Sequence, residues 1–179
     1  MHSASTRKIV RAEAKRDALA APFISIVRTC DLVPHEKLDE KHYIETRDEL
    51  KYTGILRRPI AVHRIAQHRY PDLIRCDRFL ILDGHHRAAA VSDLGYGLIL
   101  ARLVDLFSRR VGIKSWDGER SWPKRQLEID ALEGRLREPQ TTKHVVRLDG
   151  KEIPFHHYEP IEPLINYPLK HLKRGNMIW

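Results

Sequence analysis

A run of polar residues follows a short apolar segment near the middle of the chain. Asp83-Gly84-His85-His86-Arg87 comes directly after Phe79-Leu80-Ile81-Leu82. The apolar residues predict a buried strand, Asp83-Gly84 predicts a turn, and residues 88–94 predict a helix that Gly95 ends. The free N–H groups and the positive dipole end of a helix attract anions such as phosphate. The pattern therefore predicts an anion-binding site where the strand ends and the helix begins.

Two side chains of this run have chemistry that suits such a site. Arg87 offers a planar set of donors that matches phosphate oxygens. Asp83, at the end of the strand, can hold a metal ion or take a proton. A capped helix with a solvated His-His-Arg surface explains the same residues, and the run alone does not decide between the two interpretations.

The run resembles a known signature. Asp83-Gly84-His85-His86-Arg87 is similar to the phosphate-binding motif of the ParB/sulfiredoxin superfamily, and in particular to its branch of free L-serine kinases that use ADP or ATP. The flanking order is also similar, with Gly54 and Pro59-Ile60 before the motif and Leu94-Gly95 after it. The resemblance covers residues 23–106 and implies an α/β (mixed α+β) fold with a ParB/sulfiredoxin-like nucleotide-binding core.

Beyond residue 106 the chain resembles the serine kinases alone. The matching segments are residues 111–116, which end at Trp116, residues 139–144 and residues 166–172. The resemblance implies that residues 107–179 form a small C-terminal lobe on the substrate side of the site. It also implies a substrate-binding role for four residues: Trp116, Thr141, Thr142 and His144. From the residues alone, Trp116 is equally explained as core and the Thr-Thr pair as part of a strand.

The kinase resemblance implies transfer of a phosphoryl group from ATP or ADP to the hydroxyl of free L-serine, giving O-phospho-L-serine. Such a reaction needs anchored phosphates, neutralised charge and a hydroxyl relieved of its proton. By this resemblance, the phosphates are anchored by Gly84, His85, His86 and Arg87. Their charge is neutralised by Mg²⁺ that Asp83 holds. Glu36 matches the glutamate that acts as general base, so the expected catalytic residues are Glu36 and Asp83. Without the resemblance, Glu36 is explained as an acid favoured in the first turn of a helix.

A nucleotide-binding switch or DNA-binding regulator of the ParB type, without kinase activity, is the alternative. Partition ParB proteins carry a Gly-Glu-Arg-Arg-type motif where this chain has Gly84-His85-His86-Arg87, and they continue into a helix-turn-helix for which residues 107–179 show no candidate. The formal charge of +8 favours anionic partners without choosing among them, so DNA remains a minor possible partner. Sulfiredoxin-like chemistry needs a nucleophilic cysteine at the position that His85 occupies, so this interpretation is set aside.

The remaining segments give simpler expectations. Residues 23–27 predict the first strand, residues 37–52 a helix with Ile44 and Leu50 inward, residues 67–72 a hairpin loop, and residues 121–136 a further helix with Leu132 and Leu136 on one face. Residues 1–22 predict a basic arm. His63, His68, His156 and His157 are expected in loops or on the surface.

Composition sets the outer bounds. The apolar runs are too short to cross a membrane, no secretory signal is visible, and two cysteines without metal-ligand spacing fit the cytoplasm. No P-loop sequence occurs, so a nucleotide must be held in another way. Nothing in the sequence sets the oligomeric state.

Overall fold

The computed structural model describes residues 20–72 and 76–173. In chain order the elements are β1 (Ala20–Arg28), β2 (Leu32–Val33), α1 (Glu40–Thr53), β3 (Ile55–Leu56), β4 (Ile60–Ile65), β5 (Arg78–Asp83), α2 (His85–Asp93), β6 (Leu98–Val104), β7 (Val111–Lys114), α3 (Lys124–Leu132), β8 (Lys143–Leu148), β9 (Lys151–Pro154) and β10 (Tyr167–Pro168). The central five-stranded sheet has the order β1-β6-β4-β5-β2. Its β1–β6 and β4–β5 pairs are antiparallel, while β4–β6 and β2–β5 are parallel. The predicted mixed α/β class is confirmed.

The central strands are buried on both faces. Along β4 and β5, successive apolar side chains alternate between two hydrophobic clusters, as the two-residue period of a strand requires. Ala61 and Leu80 belong to one cluster, whereas Val62 and Ile81 belong to the other. Burial on both faces explains why these strands are nearly continuous apolar runs in the sequence.

Helices α1 and α2 cover one face of this sheet, and α3 with β8 covers the other. Leu50 of α1 and Val91 of α2 pack in the cluster on one face. On the other face, Leu127 of α3, Val146 of β8 and Phe155 are fully or almost fully buried against the sheet. The segment after residue 106 therefore shares a hydrophobic core with the central sheet.

Helix α1 begins later than predicted. Asp39 caps it by accepting a hydrogen bond from the N–H of His42 at 2.8 Å, and Gly54, with φ of 64°, ends it as expected. Residues 37–39 are not helical, because the bridge between Glu36 and Arg137 is followed by a hydrogen bond from the Lys37 N–H to the Arg137 carbonyl at 2.8 Å. Leu50 is buried as predicted, but the inward position predicted for Ile44 is wrong, since 41% of it is exposed.

The other two helices also differ from their predicted bounds, and α3 begins at Lys124 instead of residue 121. Helix α2 begins at His85 instead of residue 88, so the His-His-Arg sequence forms its first turn. Helix α3 ends at Leu132 because Gly134 adopts a left-handed φ of 73°, and the predicted extension to Leu136 is wrong. Leu136 is 39% exposed and does not share a buried face with Leu132.

Three further predictions concern the outer parts of the chain. Residues 1–19 of the predicted basic arm lie outside the described residues, and β1 already includes residues 20–22. The hairpin between β4 and β5 is confirmed, with a short 3-10 turn at Gln67–Arg69, while residues 73–75 lie outside the described residues. Among the helices that the structure describes, none combines the length and the apolar character that crossing a membrane would require.

Candidate functional site

Parallel pairing of β2 with β5 builds the site. Leu32 pairs with Phe79 and Val33 with Leu80, so both strands point to the same edge of the sheet. Glu36 follows one strand and Asp83 ends the other, and the first turn of α2 starts at the same edge. A cavity of about 490 Å³ opens at this edge.

Nine of the ten residues predicted for the site line this cavity: Glu36, Asp83, Gly84, His85, His86, Arg87, Trp116, Thr142 and His144. The tenth, Thr141, turns its hydroxyl away and donates it to the carbonyl of Glu138 at 2.6 Å. Residues separated by more than a hundred positions in the chain are therefore brought together around one space.

Gly84 makes the strand-to-helix turn possible. Its φ of +90° lies in the left-handed region, which residues with a Cβ rarely adopt. A Cβ at this position would lie 2.7 Å from Cγ2 of Ile60 and 2.8 Å from a guanidinium nitrogen of Arg87. Only glycine fits here, and the tight turn directs the first N–H groups of α2 out of the helix, where an anion can accept them.

Glu36 is held by the loop before β8. Its Oε1 accepts hydrogen bonds from the Thr142 N–H at 2.6 Å and the Thr142 hydroxyl at 2.7 Å. Gln140 has a left-handed φ of 58°, and its N–H and that of Thr141 also face the carboxylate. Burial raises the pKa of Glu36 above its usual range, although these donors oppose the shift. A carboxylate with a raised pKa is a stronger base.

Asp83 lies across the cavity with an even more perturbed carboxyl. Burial and then the charge of Glu162 raise its pKa to about 7, while Arg87 opposes the rise. Its carboxyl oxygens lie 3.8 Å from Arg87 and 3.9 Å from His156, which is beyond hydrogen-bond distance. The carboxylate therefore keeps lone pairs for a cation, and Mg²⁺ commonly takes one or two protein carboxylates together with substrate phosphates. Among the described residues, no cluster of three or more potential metal-ligating side chains occurs.

Arg87 is paired with a residue that the sequence analysis missed. Its guanidinium donates to both carboxyl oxygens of Glu162, at 3.1 and 2.7 Å. Glu162 is only 2% exposed, and Arg58 holds its segment by donating to the Glu162 carbonyl at 3.2 Å. Glu162 lies in a loop between two prolines, and no local signal in the sequence marks it.

The histidines at the start of α2 do not supply positive charge. Burial lowers the pKa of His85 well below its usual value, and its Nε2 lies 3.2 Å from Nδ1 of His35. His86 Nε2 accepts the N–H of Asp39 at 3.1 Å, and burial followed by the charge of His42 lowers its pKa as well. Arg87 and the helix N–H groups are therefore the groups at this turn that can attract an anion.

The opposite wall of the cavity is aromatic. Trp116 is 48% exposed, stacks on His156 with ring centres 6.2 Å apart, and lies 5.3 Å from the ammonium of Lys143. His156 lies in the 3-10 turn Phe155–His157 with 40% of its side chain exposed, as predicted for a loop or surface position, and it also lines the cavity, while His157 is exposed as predicted. His144 is 5% exposed, and its Nε2 has no hydrogen-bond partner within the described residues.

The other two histidines that were expected in loops or on the surface, His63 and His68, lie away from the cavity. His68 is exposed as predicted. The prediction for His63 is wrong, because it is only 6% exposed and its Nε2 lies 3.1 Å from Oε1 of the fully buried Glu128. Glu128 also accepts the hydroxyl of Tyr70 at 2.8 Å, so this polar cluster ties the 67–72 excursion to α3.

Comparison with known proteins gives similarity in sequence and in structure. No protein-family model matches the chain. It is 34% identical over 85 residues to an ATP-dependent L-serine kinase of Staphylothermus marinus, covering 48% of this chain and 31% of the relative. It is 35% identical over 91 residues to an ATP-dependent L-serine kinase of Desulfurococcus mucosus, covering 51% and 32%. The chain thus matches about a third of the length of these curated relatives.

The structural comparison covers more of the chain. A solved structure of a free serine kinase in complex with AMP superposes with a TM-score of 0.63 at 15% sequence identity. The match includes 83% of this chain and 93% of that one. At this level of identity the likeness shows that the two chains share a fold.

Proposed function

We propose that the protein transfers a phosphoryl group from a nucleotide to the hydroxyl of free L-serine and so forms O-phospho-L-serine. The observation that carries the proposal is the arrangement around the cavity, where Glu36 and Asp83 line the same space as the first turn of α2. The sequence similarity to ATP-dependent L-serine kinases supports it, as does the fold shared with a free serine kinase.

The nucleotide phosphates bind at the first turn of α2. The N–H groups there point out of the helix, and Gly84 lets the phosphates approach the backbone. Arg87 supplies positive charge at the same end of the cavity. Mg²⁺, when bound, neutralises charge on the transferred group, and Asp83 is the residue that would hold it.

Glu36 takes the proton of the attacking hydroxyl. Its buried carboxylate lines the cavity, and its raised pKa suits a general base. Trp116 forms an apolar wall for the amino acid, while Thr142 and His144 lie on the Glu36 side of the cavity. Because the Thr141 hydroxyl points elsewhere, Thr141 contributes its backbone N–H, which faces Glu36.

ATP is the proposed donor because the two curated relatives are ATP-dependent, and ADP is the donor to compare with it. The finer assignment of the fold is also a proposal. It comprises a basic arm (1–22), a ParB/sulfiredoxin-like nucleotide-binding core (23–106) and a substrate-side lobe (107–179) in a cytoplasmic enzyme. The burial of Leu127, Val146 and Phe155 against the central sheet means that this lobe cannot be separated from the core without exposing apolar surface.

The test incubates the purified chain with Mg²⁺, L-serine and either ATP or ADP, and mass spectrometry detects O-phosphoserine. L-Alanine, which lacks the hydroxyl, is the control substrate. We expect product with L-serine and ATP. No product with either donor, while nucleotide still binds, would refute the proposed reaction. A DNA-binding assay with and without nucleotide would then test the ParB-type alternative.

Glu36→Gln tests the base. The variant keeps the shape of the side chain but cannot accept a proton at neutral pH, so turnover should fall at least a hundredfold while nucleotide affinity changes by less than about twofold. Product formation is followed by mass spectrometry and nucleotide affinity by calorimetry. A parallel loss of turnover and nucleotide binding would contradict the assignment and make Glu36 a support for the 139–142 loop.

A further inference from the structure

A row of buried hydrogen-bonding groups extends from the cavity into the core. His35 Nδ1 lies 2.7 Å from the carbonyl oxygen of Ile81, and His35 Nε2 lies 2.8 Å from the Thr142 hydroxyl. The same hydroxyl lies 2.7 Å from Oε1 of Glu36. His35 is 1% exposed and Thr142 is 6% exposed, so water does not replace these partners. The row links the proposed base to a histidine that does not line the cavity.

The hydrogens in this row can be counted. The Ile81 carbonyl can only accept, so His35 carries its hydrogen on Nδ1, and a neutral His35 then has an Nε2 that only accepts. An ionised Glu36 also only accepts, and the Thr142 hydroxyl between them has a single hydrogen. With neutral His35 and ionised Glu36, two acceptors therefore compete for one hydrogen, and one of the two short contacts lacks its hydrogen bond.

One additional proton completes the row. If the proton is on the Glu36 carboxyl, Glu36 donates to Thr142 and Thr142 donates to His35 Nε2. If it is on His35 Nε2, His35 donates to Thr142 and Thr142 donates to Glu36. The two arrangements differ by the movement of two protons, one on each side of the hydroxyl oxygen, and no hydrogen bond is lost between them.

We propose that Glu36 and His35 share one proton through the Thr142 hydroxyl, and that His35 is a positioning residue that makes Glu36 a stronger base. In its catalytic aspect the inference rests on the proposed function. The serine O–H bond breaks, its proton joins the Glu36 carboxylate, and the oxygen electron pair forms the bond to phosphorus as the bond to the leaving nucleotide breaks. The proton that Glu36 gains is the one that the row lacks.

The surroundings favour the proton on the Glu36 side. His35 faces His85, whose Nε2 is 3.2 Å from its Nδ1, and His144, whose ring centre is 5.3 Å away. Burial lowers the pKa of His35 to about 4; the hydrogen bond to the Ile81 carbonyl opposes this shift, and the charge of Arg137 contributes to it. Around Glu36, the Thr142 hydroxyl and the N–H groups of residues 140–142 stabilise the carboxylate, whereas burial disfavours it. The charge of Glu36 also contributes to raising the pKa of Asp83, which lines the same cavity.

His35→Asn tests the coupling. The Asn amide can replace the Nδ1 donor to Ile81, but the variant has no Nε2 acceptor, so the hydroxyl hydrogen is free for Glu36. We expect the pKa of Glu36, followed by ¹³C-carboxyl NMR without substrate, to fall by about one unit or more. In a Thr142→Val background the same substitution should leave the pKa unchanged, because no hydroxyl transmits the effect. Thr142→Ser, which keeps the hydroxyl, is the matched control. A shift that persists with valine would overturn the proposal.

A measurement on the wild-type chain covers the case in which His35→Asn does not fold. Imidazole ¹⁵N NMR should show His35 with its hydrogen on Nδ1 at neutral pH, and the Nε2 signal should move at the midpoint of Glu36 titration. A hydrogen on Nε2 at neutral pH, or an Nε2 signal that ignores Glu36, would refute the shared proton. Because neither readout needs turnover, failure of the O-phosphoserine assay alone would refute the reaction and leave the shared proton in place.

Discussion

Replacing Arg87 should destabilise the fold as well as weaken nucleotide binding. In Arg87→Met, the carboxylate of Glu162 keeps its burial, at 2% exposure, but loses a partner that donated at 2.7 and 3.1 Å. Removing one member of a buried ion pair costs about 3–5 kcal/mol in the free energy of unfolding. Arg64→Met is the matched control, because Arg64 contacts Asp77 at the same 2.7 Å with both side chains more than half exposed. That surface pair should contribute about 0–1 kcal/mol.

The stability of Arg87→Met should depend on pH, because the variant leaves the buried carboxyls beside position 87 without a cation. Without Arg87, whose charge opposes the rise, the pKa of Asp83 in the folded state rises further from its value of about 7. A folded state whose carboxyls have raised pKa values binds more protons than the unfolded chain, so its stability falls as pH rises. The free energy of unfolding of Arg87→Met should therefore be closer to that of the wild type at about pH 5 than at about pH 8.

Urea denaturation followed by tryptophan fluorescence, without nucleotide, measures these differences. The cycle is completed by Glu162→Gln and by the double variant, and the coupling energy should be about 2 kcal/mol. Additivity of the two substitutions within about 0.5 kcal/mol would show that the pair does not act as a unit. A loss for Arg87→Met no larger than that for Arg64→Met would refute the argument from burial.

Two further predictions concern the shape of the site. Gly84→Ala should lower the free energy of unfolding by about 2–4 kcal/mol, because it adds a steric clash to the left-handed φ. Gly95 has a similar φ of +82°, but a Cβ there would meet no atom within 4 Å, so the control Gly95→Ala should lower the free energy of unfolding by only about 1–2 kcal/mol. Equal losses in thermal denaturation would contradict the close approach at Gly84. Trp116→Ala should raise KM for L-serine at least several-fold and leave stability nearly unchanged, because 48% of the side chain is already exposed. A change in kcat alone, measured by steady-state kinetics, would argue against a binding role.

The parts of the site that could be predicted from sequence are those that local chemistry determines. The turn at Asp83-Gly84 depends on one left-handed residue, and the helix after it on a run of alanines, so neighbouring residues in the chain carry the signal. The ends of α1 and α3 were harder to predict. The backbone contacts of Glu36 and Lys37 with Arg137, which is far away in the sequence, keep residues 37–39 out of the helix, and periodicity within one segment gives no sign of such contacts.

The contacts that decide the electrostatics were not visible in the sequence. Glu162 lies 75 residues from Arg87 in the chain, and Thr142 lies 107 residues from His35. Their pairing depends on how the segment after β6 folds back over the second face of the sheet. His156 shows the same limit, because it lies in a turn at the surface as adjacent histidines suggest, but only the folded structure shows that it lines the cavity. A side chain's role in such a site is determined by its burial and its partners, and residue type alone indicates neither.

The balance of charge in the cavity explains why these distant partners matter. Three carboxyls, those of Glu36, Asp83 and Glu162, line the same space, and Arg87 pairs with one of them. Burial raises the pKa of both Glu36 and Asp83, and the charges of Glu162 and Glu36 add to the rise at Asp83, so these two carboxyls favour added protons or a cation. Lys37, Arg58 and Lys143 also line the cavity, but phosphates placed beside Glu36 and Asp83 would meet two carboxyls that Arg87, paired with Glu162, does not neutralise. A nucleotide bound to Mg²⁺ would bring a cation to these two carboxyls. The proposed function therefore implies a phosphate donor that enters together with its metal ion, with the metal ion beside Asp83 and Glu36 as the proposed base.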